Sequence, residues 1–149
     1  MNAPTTSFED LRIGEEYTSL PRTVTEADVV IFAGLSGDWN VLHTDAEYMK
    51  SSIFGERIAH GLLGLAIQHG LFERSGREGT GLRLVRLKWK FKNPIKIGDQ
   101  IRVRTRIADK QDSDDPGRGR VTIERQVLNQ AGVVVQEGET EHLIGRRPG

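Results

Sequence analysis

The sequence predicts an α+β fold in which one long buried helix is gripped by a curved antiparallel sheet, and three observations carry that expectation. From His60 to about Ser75, the residues Leu62, Leu63, Leu65, Ala66, Ile67, Leu71 and Phe72 cover most of a helix circumference, so this helix belongs inside the protein. Behind it the pattern changes to period two. Val85, Leu87, Trp89 and Phe91 alternate with Arg86, Lys88, Lys90 and Lys92, and Ile101, Val103, Thr105 and Ile107 with Arg102, Arg104 and Arg106, the signature of strands with one buried face. Finally, Gly61, Gly64 and Gly70 each cost that helix on the order of 1 kcal/mol relative to Ala, which suggests that another backbone wraps closely against it.

In chain order, Phe8 to Ile13 forms a short leading segment. Gly14-Glu15-Glu16 turns it into a strand at about Tyr17 to Thr23, where Tyr17, Thr18 and the nearby Val24 favour extended backbone. Thr25 is a helix N-cap, with Asp28 at the third helical position instead of the Glu of the usual capping box. Ala27, Val30, Ile31, Phe32 and Ala33 follow at helical spacing until Gly34 to Gly37 end the helix and deliver Asp38 to a loop. Thr44-Asp45-Ala46-Glu47 opens a short helix running to about Ser51, and Gly55 closes it. Pro94 ends the first long strand. The polar stretch Asp109 to Arg120 reads as a long hairpin loop, Val121 to Leu128 as a further strand, and Ala131-Gly132 as the turn into Val133 to Ile144.

Composition bounds what such a fold is for. A chain of 149 residues buries roughly 68–70% of its extended surface as one domain, so residues 1–149 are expected to form a single unit. Its 21 basic and 21 acidic residues balance, which points to neither nucleic acid nor an anionic membrane surface. Without cysteine it has no disulfide, thiolate nucleophile or Cys-based zinc site, in keeping with a cytoplasmic protein. Met1 to Thr6 have neither a basic start nor an apolar core, so no secretory leader is expected, and no apolar run approaches the roughly 20 residues of a membrane helix.

The chemistry concentrates in Ser36-Gly37-Asp38-Trp39-Asn40-Val41-Leu42-His43 and in Arg57-Ile58-Ala59-His60-Gly61-Leu62-Leu63-Gly64. The first block sets a carboxylate and an imidazole five residues apart on a bend, a pair able to move a proton. The second opens the long helix, whose first backbone N–H groups are free to stabilise developing negative charge. Taken singly, Asp38 is more often a turn or cap residue and His43 an ordinary loop histidine. Their combination with Asn40 and His60-Gly61 favours the chemical reading.

Ser36-Gly37-Asp38-x-Asn40-x-x-His43-x-Asp45, followed by His60-Gly61 on an apolar helix, resembles the MaoC-like (R)-specific enoyl-CoA hydratases, acyl dehydratases of the hot-dog fold. Phe91-x-x-Pro94-Ile95-x-x-Gly98-Asp99-x-Ile101 resembles a strand-turn-strand signature of hot-dog dehydratases and thioesterases, so the likeness covers nearly the whole chain. The resemblance implies that Asp38 and His43 are the catalytic pair and Asn40 the residue between them. It also implies that Gly61 donates the N–H that holds the thioester oxygen. Val41 stands where the family usually has Pro, and Ala66 where many members carry a Ser that supports the catalytic Asp. The implied reaction is reversible hydration of a trans-2-enoyl thioester to the (R)-3-hydroxyacyl thioester. It needs no cofactor beyond the coenzyme A of the substrate. A hot-dog thioesterase and a non-catalytic acyl-thioester-binding domain are the alternatives.

Other residues carry less. His60 reads as a helix-start residue supporting the site, His69 as packed or facing a second subunit, and His142 as an exposed strand residue. A metal site from Asp38, His43 and Asp45 lacks further ligands nearby, and none is expected. The basic rows are a solvated sheet face, of which a fraction, with Lys50 or Arg57, could meet the phosphates of coenzyme A. Trp89 and Phe91 read as core. An open sheet edge and an apolar helix with little cover predict a homodimer or dimer of dimers, an association in which the family places its acyl tunnel at the subunit boundary.

Overall fold

The computed structural model describes residues 6–75 and 83–147; the expectation about a leader at Met1 to Thr6 falls almost wholly outside them. Helix α1 (Glu26–Ser36) begins with the predicted capping box. The Thr25 hydroxyl accepts the Asp28 N–H at 3.3 Å while the Asp28 carboxylate accepts the Thr25 N–H at 2.8 Å. Gly37 ends it in the left-handed conformation, at φ 75°, which a residue with a Cβ adopts only under strain. Two short helices follow, α2 (Val41–Thr44) and α3 (Ala46–Lys50), then the long α4 (Gly61–Glu73).

The strands β1 (Glu16–Thr18), β2 (Arg22–Thr23), β3 (Arg83–Phe91), β4 (Gln100–Asp112), β5 (Arg118–Leu128) and β6 (Val134–Gly145) form one antiparallel sheet in the order β1-β4-β5-β6-β3, with β2 also on β4. The sheet curves around α4, the hot-dog arrangement. Ile101, Val103 and Ile107 of β4 and Val121, Ile123 and Val127 of β5 are buried against the helices. Each such side chain stabilises the fold by about 1.5–3 kcal/mol relative to remaining exposed.

The expected strand from Tyr17 to Thr23 is broken in two. Pro21 has no N–H for the ladder, and the Ser19 hydroxyl takes the Val103 N–H at 3.0 Å in place of a backbone partner. The expected loop from Asp109 to Arg120 shrinks to residues 113–117, because β4 and β5 keep pairing as far as Asp112 opposite Gly119. Polar side chains do not prevent backbone pairing, and one face of the ribbon is covered at Gly119 by the Phe8 ring.

The convex face of the sheet carries the predicted basic rows, but they alternate with carboxylates from neighbouring strands. Lys88 lies 3.7 Å from Glu139, Lys92 2.9 Å from Glu137, Arg106 2.9 Å from Glu124 and Arg120 3.0 Å from Glu141. On the concave side, α4 buries Leu63, Ile67, Leu71 and Phe72. It is not enclosed all round. Leu62 remains 60% exposed and Ala66 is also exposed, and on the neighbouring edge strand β3 so are Leu87 and Phe91. Phe91 is therefore not a core residue of the single chain, whereas Trp89 packs partly into the core.

His142 corrects the reading of an exposed strand residue. It is fully buried, because at its register position it faces the helix, beside Arg125.

Candidate active site

Asp38 follows the Gly37 cap directly, so the end of α1 aims it. Its Oδ1 accepts the Asn40 N–H at 3.2 Å, which leaves Oδ2 free to face elsewhere. Asn40 caps α2, its side-chain oxygen accepting the Leu42 N–H at 3.0 Å. That single helical turn carries His43 into the interior, where the residue is buried. The expected bend is thus a capped turn of helix, with Asn40's carboxamide oxygen committed to building it.

The tautomer of His43 follows from its partner. Nδ1 lies 2.8 Å from the Ile58 carbonyl oxygen, which only accepts, so Nδ1 carries the hydrogen and neutral His43 presents a lone pair at Nε2. Nε2 in turn lies 4.0 Å from Asp38 Oδ2. Two acceptors at that separation do not bond to each other, but each can receive one hydrogen of the same water molecule.

His60 supports both groups. Its Nε2–H donates to the Asp38 carbonyl at 2.9 Å, and its ring stacks on His43 with centroids 3.8 Å apart and packs at a tilt against Phe32 at 4.9 Å. It is also the N-cap of α4, yet makes no side-chain cap bond, so the first N–H groups of α4, beginning at Gly61, are left to other acceptors. The segment is fixed to the connection between β3 and β4 by Ala59 N–H donating to Ile95 O at 2.7 Å. Asp38, His43, Asn40, His60 and Gly61 are thereby gathered around one place. His43 and Gly61 open on a groove of about 330 Å³ walled by Phe54, Ile58, Phe91, Pro94 and Gln136. A larger depression of about 620 Å³ lies on the convex sheet face; Lys88, Lys90, Arg104 and Arg106 of the basic rows line it, and none of Asp38, Asn40, His43, His60 and Gly61 does.

Asp38, His43 and His60 bring potential ligand atoms within 4.8 Å of one another, which raises a metal site. One nitrogen of each ring already donates to a carbonyl. The remaining lone pairs lie in ring planes stacked 30° from parallel, which is unfavourable for two imidazoles to share one ion.

Arg57 and Lys50 are bound to carboxylates. Arg57 forms a bidentate pair with Glu26, at 2.8 and 2.5 Å, that ties the segment before α4 to the start of α1. Lys50 pairs with Glu47 at 2.6 Å. Neither is poised as an unpaired cation for a phosphate.

A second polar cluster lies along α4 away from its N-terminus. Arg125, 1% exposed, stacks over the Phe72 ring at 3.6 Å and donates to His142 Nε2 at 2.9 Å, with Gln68 and His69 beside it. Burial brings the guanidinium pKa down to about 10. Burial first, and then the charge of Arg125, push His142 down to about 3, while His69 is lowered by the same two causes against the opposing pull of Glu73. The apolar periodicity gave no sign of this cluster. Its one visible signal was an arginine at an inward position of β5.

The chain matches the family model described as the MaoC like domain over residues 8–128. It is 34% identical over 140 residues to an (R)-specific enoyl-CoA hydratase of Rhodospirillum rubrum, covering 94% of this chain and 92% of that protein. Among solved structures, a monoamine oxidase regulatory protein from Archaeoglobus superposes with TM-score 0.88 at 35% identity, covering 99% of this chain and 100% of the other. An R-hydratase from Pseudomonas aeruginosa superposes with TM-score 0.82 at 31% identity, covering 96% and 88%.

Proposed function

Since the chain belongs to the MaoC-like dehydratase family, we propose that it is a hydro-lyase that reversibly hydrates a trans-2-enoyl thioester of coenzyme A to the (R)-3-hydroxyacyl thioester. The observation that carries this reading is the 4.0 Å gap between His43 Nε2 and Asp38 Oδ2, with Nδ1 of the same ring held by the Ile58 carbonyl.

A water in that gap directs both hydrogens at the two acceptors and turns a lone pair outward. As its oxygen attacks the β-carbon of the enoyl group, one proton passes to the pair and electron density moves to the thioester oxygen, which the Gly61 N–H at the helix start receives. The proton returns from the pair to the α-carbon, the density leaves the oxygen, and H and OH have added across the double bond. Reversal of the same steps dehydrates the hydroxyacyl thioester. Asn40 acts by holding the turn, and His60 by fixing the Asp38 backbone and the His43 ring. Coenzyme A enters as part of the substrate.

Assembly belongs to the same reading. The edge of β3 that is unpaired among the described residues, the exposed Leu87 and Phe91 and the uncovered Leu62 and Ala66 of α4 form one apolar tract beside the groove, and a second copy pairing along β3 would cover it and close the acyl channel.

The test is a hydration assay across enoyl-CoA substrates from crotonyl upward, including methyl-branched ones, following loss of the enoyl absorbance. Release of free thiol, detected with an Ellman-type reagent and without that loss, would establish a thioesterase instead. Tight acyl-CoA binding with no turnover at any chain length would establish a binding domain.

A further inference from the structure

Gln136 on β6 is 2% exposed, and an amide buried that deeply is costly unless its donors and acceptor are matched. Its orientation is set by chemistry. The Trp89 indole N–H can only donate, and it lies 3.0 Å from one end of the amide, so that end is Oε1. The NH2 end therefore faces the Gly61 carbonyl oxygen, 2.9 Å away. A Cβ at Gly64 would come within 2.6 Å of Ile95 Cδ1 and would clash with the Gln136 amide, while one at Gly61 would stand 3.0 Å from the Phe91 ring. Glycine at both positions thus lets the first turn of α4 settle onto Phe91 and Gln136.

The Gly61 carbonyl shares its peptide unit with the Leu62 N–H, one of the amides that helix geometry leaves without an intrahelical partner. A hydrogen bond to that carbonyl oxygen fixes the plane of the peptide and polarises its N–H. Gln136 also lines the groove that holds His43 and Gly61.

We propose that Gln136, oriented by Trp89, is the positioning residue of the oxyanion turn. It holds the Gly61–Leu62 peptide so that the Leu62 N–H joins the Gly61 N–H in receiving the thioester oxygen. The proposal rests on the hydratase reading for its kinetic consequence but not for the clamp itself.

The test compares wild type with Gln136→Met, Gln136→Glu and Trp89→Phe, using crotonyl-CoA hydration together with the amide proton shift of Leu62 in 15N–1H spectra. Gln136→Met is expected to lower kcat by about 10–100-fold with KM changed less than about threefold, and to move the Leu62 amide shift upfield. Trp89→Phe should have a smaller effect that disappears in the Gln136→Met background. Gln136→Glu separates donation from packing and serves where Gln136→Met folds poorly. Its side chain can donate to Gly61 only when protonated, so its kcat relative to wild type should rise as the pH is lowered. A kcat within twofold of wild type in Gln136→Met, or a flat pH ratio in Gln136→Glu, overturns the proposal. If wild type leaves every enoyl-CoA unchanged, the hydratase reading falls. The Leu62 shift then decides the clamp alone: movement in Gln136→Met supports it and an unmoved signal overturns it.

Discussion

At the scale of single residues, the site divides into groups that face the reacting atoms and groups that only aim them, and substitution should separate the two. Asp38→Asn and His43→Ala are each expected to lower kcat by about 10²–10⁴-fold with the fold retained; the thermal midpoint stays near that of wild type in Asp38→Asn, whose side chain is half exposed, and falls in His43→Ala, which empties a buried site and leaves the Ile58 carbonyl without its donor. Turnover near the wild-type rate in both would end the hydro-lyase assignment. Asn40→Ala should behave differently. It removes the cap of α2, costing about 1 kcal/mol of stability, and loosens the turn that carries His43, so stability and kcat should fall together. These residues were legible in the sequence because their spacing is local: Asp38, Asn40 and His43 sit within six positions, and His60-Gly61 opens a helix visible from its own apolar pattern. Gln136 was not legible, since its partners Trp89 and Gly61 are 47 and 75 residues away and nothing local distinguishes it from other polar strand residues.

Among whole elements, α4 shows how a sequence signal can be right about close approach and wrong about what approaches. Gly61 and Gly64 meet the side chains of Phe91, Gln136 and Ile95 instead of a backbone, and Gly70 meets nothing within 4 Å among the described residues. Gly64→Ala should therefore destabilise the protein by about 1–3 kcal/mol despite the better helix propensity of Ala, because the new methyl overpacks a filled site. Gly34 in α1 has open space around it and serves as the contrast. Gly34→Ala is expected to stabilise by about 0.5–1 kcal/mol, a rise of a few degrees in the melting midpoint. The junction of α4 with the sheet at Arg125 and His142 adds a pH dependence. His142 is neutral in the folded state down to about pH 3, whereas an unfolded histidine takes up a proton near pH 6.5. Below pH 6.5 the unfolded chain binds the extra proton, so this contribution to stability is whole above that pH and is lost progressively as the pH falls toward 3. Chemical denaturation at pH 6.5 and pH 5, above the ordinary carboxylate range, should show a loss of about 2 kcal/mol in wild type that is much reduced in His142→Gln. An equal slope in both proteins would remove His142 from the account. The Ala131-Gly132 turn marked the strand that carries His142, but burial of a histidine beside an arginine depends on which strands become neighbours.

The molecule as a whole is defined as much by what it leaves uncovered as by its core. A sheet that, among the described residues, ends on β3 with Leu87 and Phe91 exposed on the side facing α4, next to an exposed Leu62, presents an unpaired edge and apolar surface together. The sequence anticipated an open edge, yet it assigned Phe91 to the core of a single chain, because alternation reports which face a side chain points to and not whether that face is covered by the same copy. The convex face is a poorer candidate for the interface, since it is charged and its Lys88, Lys92 and Arg106 are matched by carboxylates from adjacent strands. Light scattering at working concentration is therefore expected to give at least twice the chain mass, with a melting midpoint that rises with protein concentration. Leu87→Glu places a charge on the uncovered tract without touching the core of the single chain, so it should shift the mass toward the monomer while far-ultraviolet circular dichroism is retained. Because the groove beside His43 and Gly61 is walled by Phe91 of the same edge strand, that monomer should also bind acyl-CoA more weakly. A wild-type monomer, or a Leu87→Glu protein with unchanged mass and affinity, would mean that the acyl channel is complete within one copy.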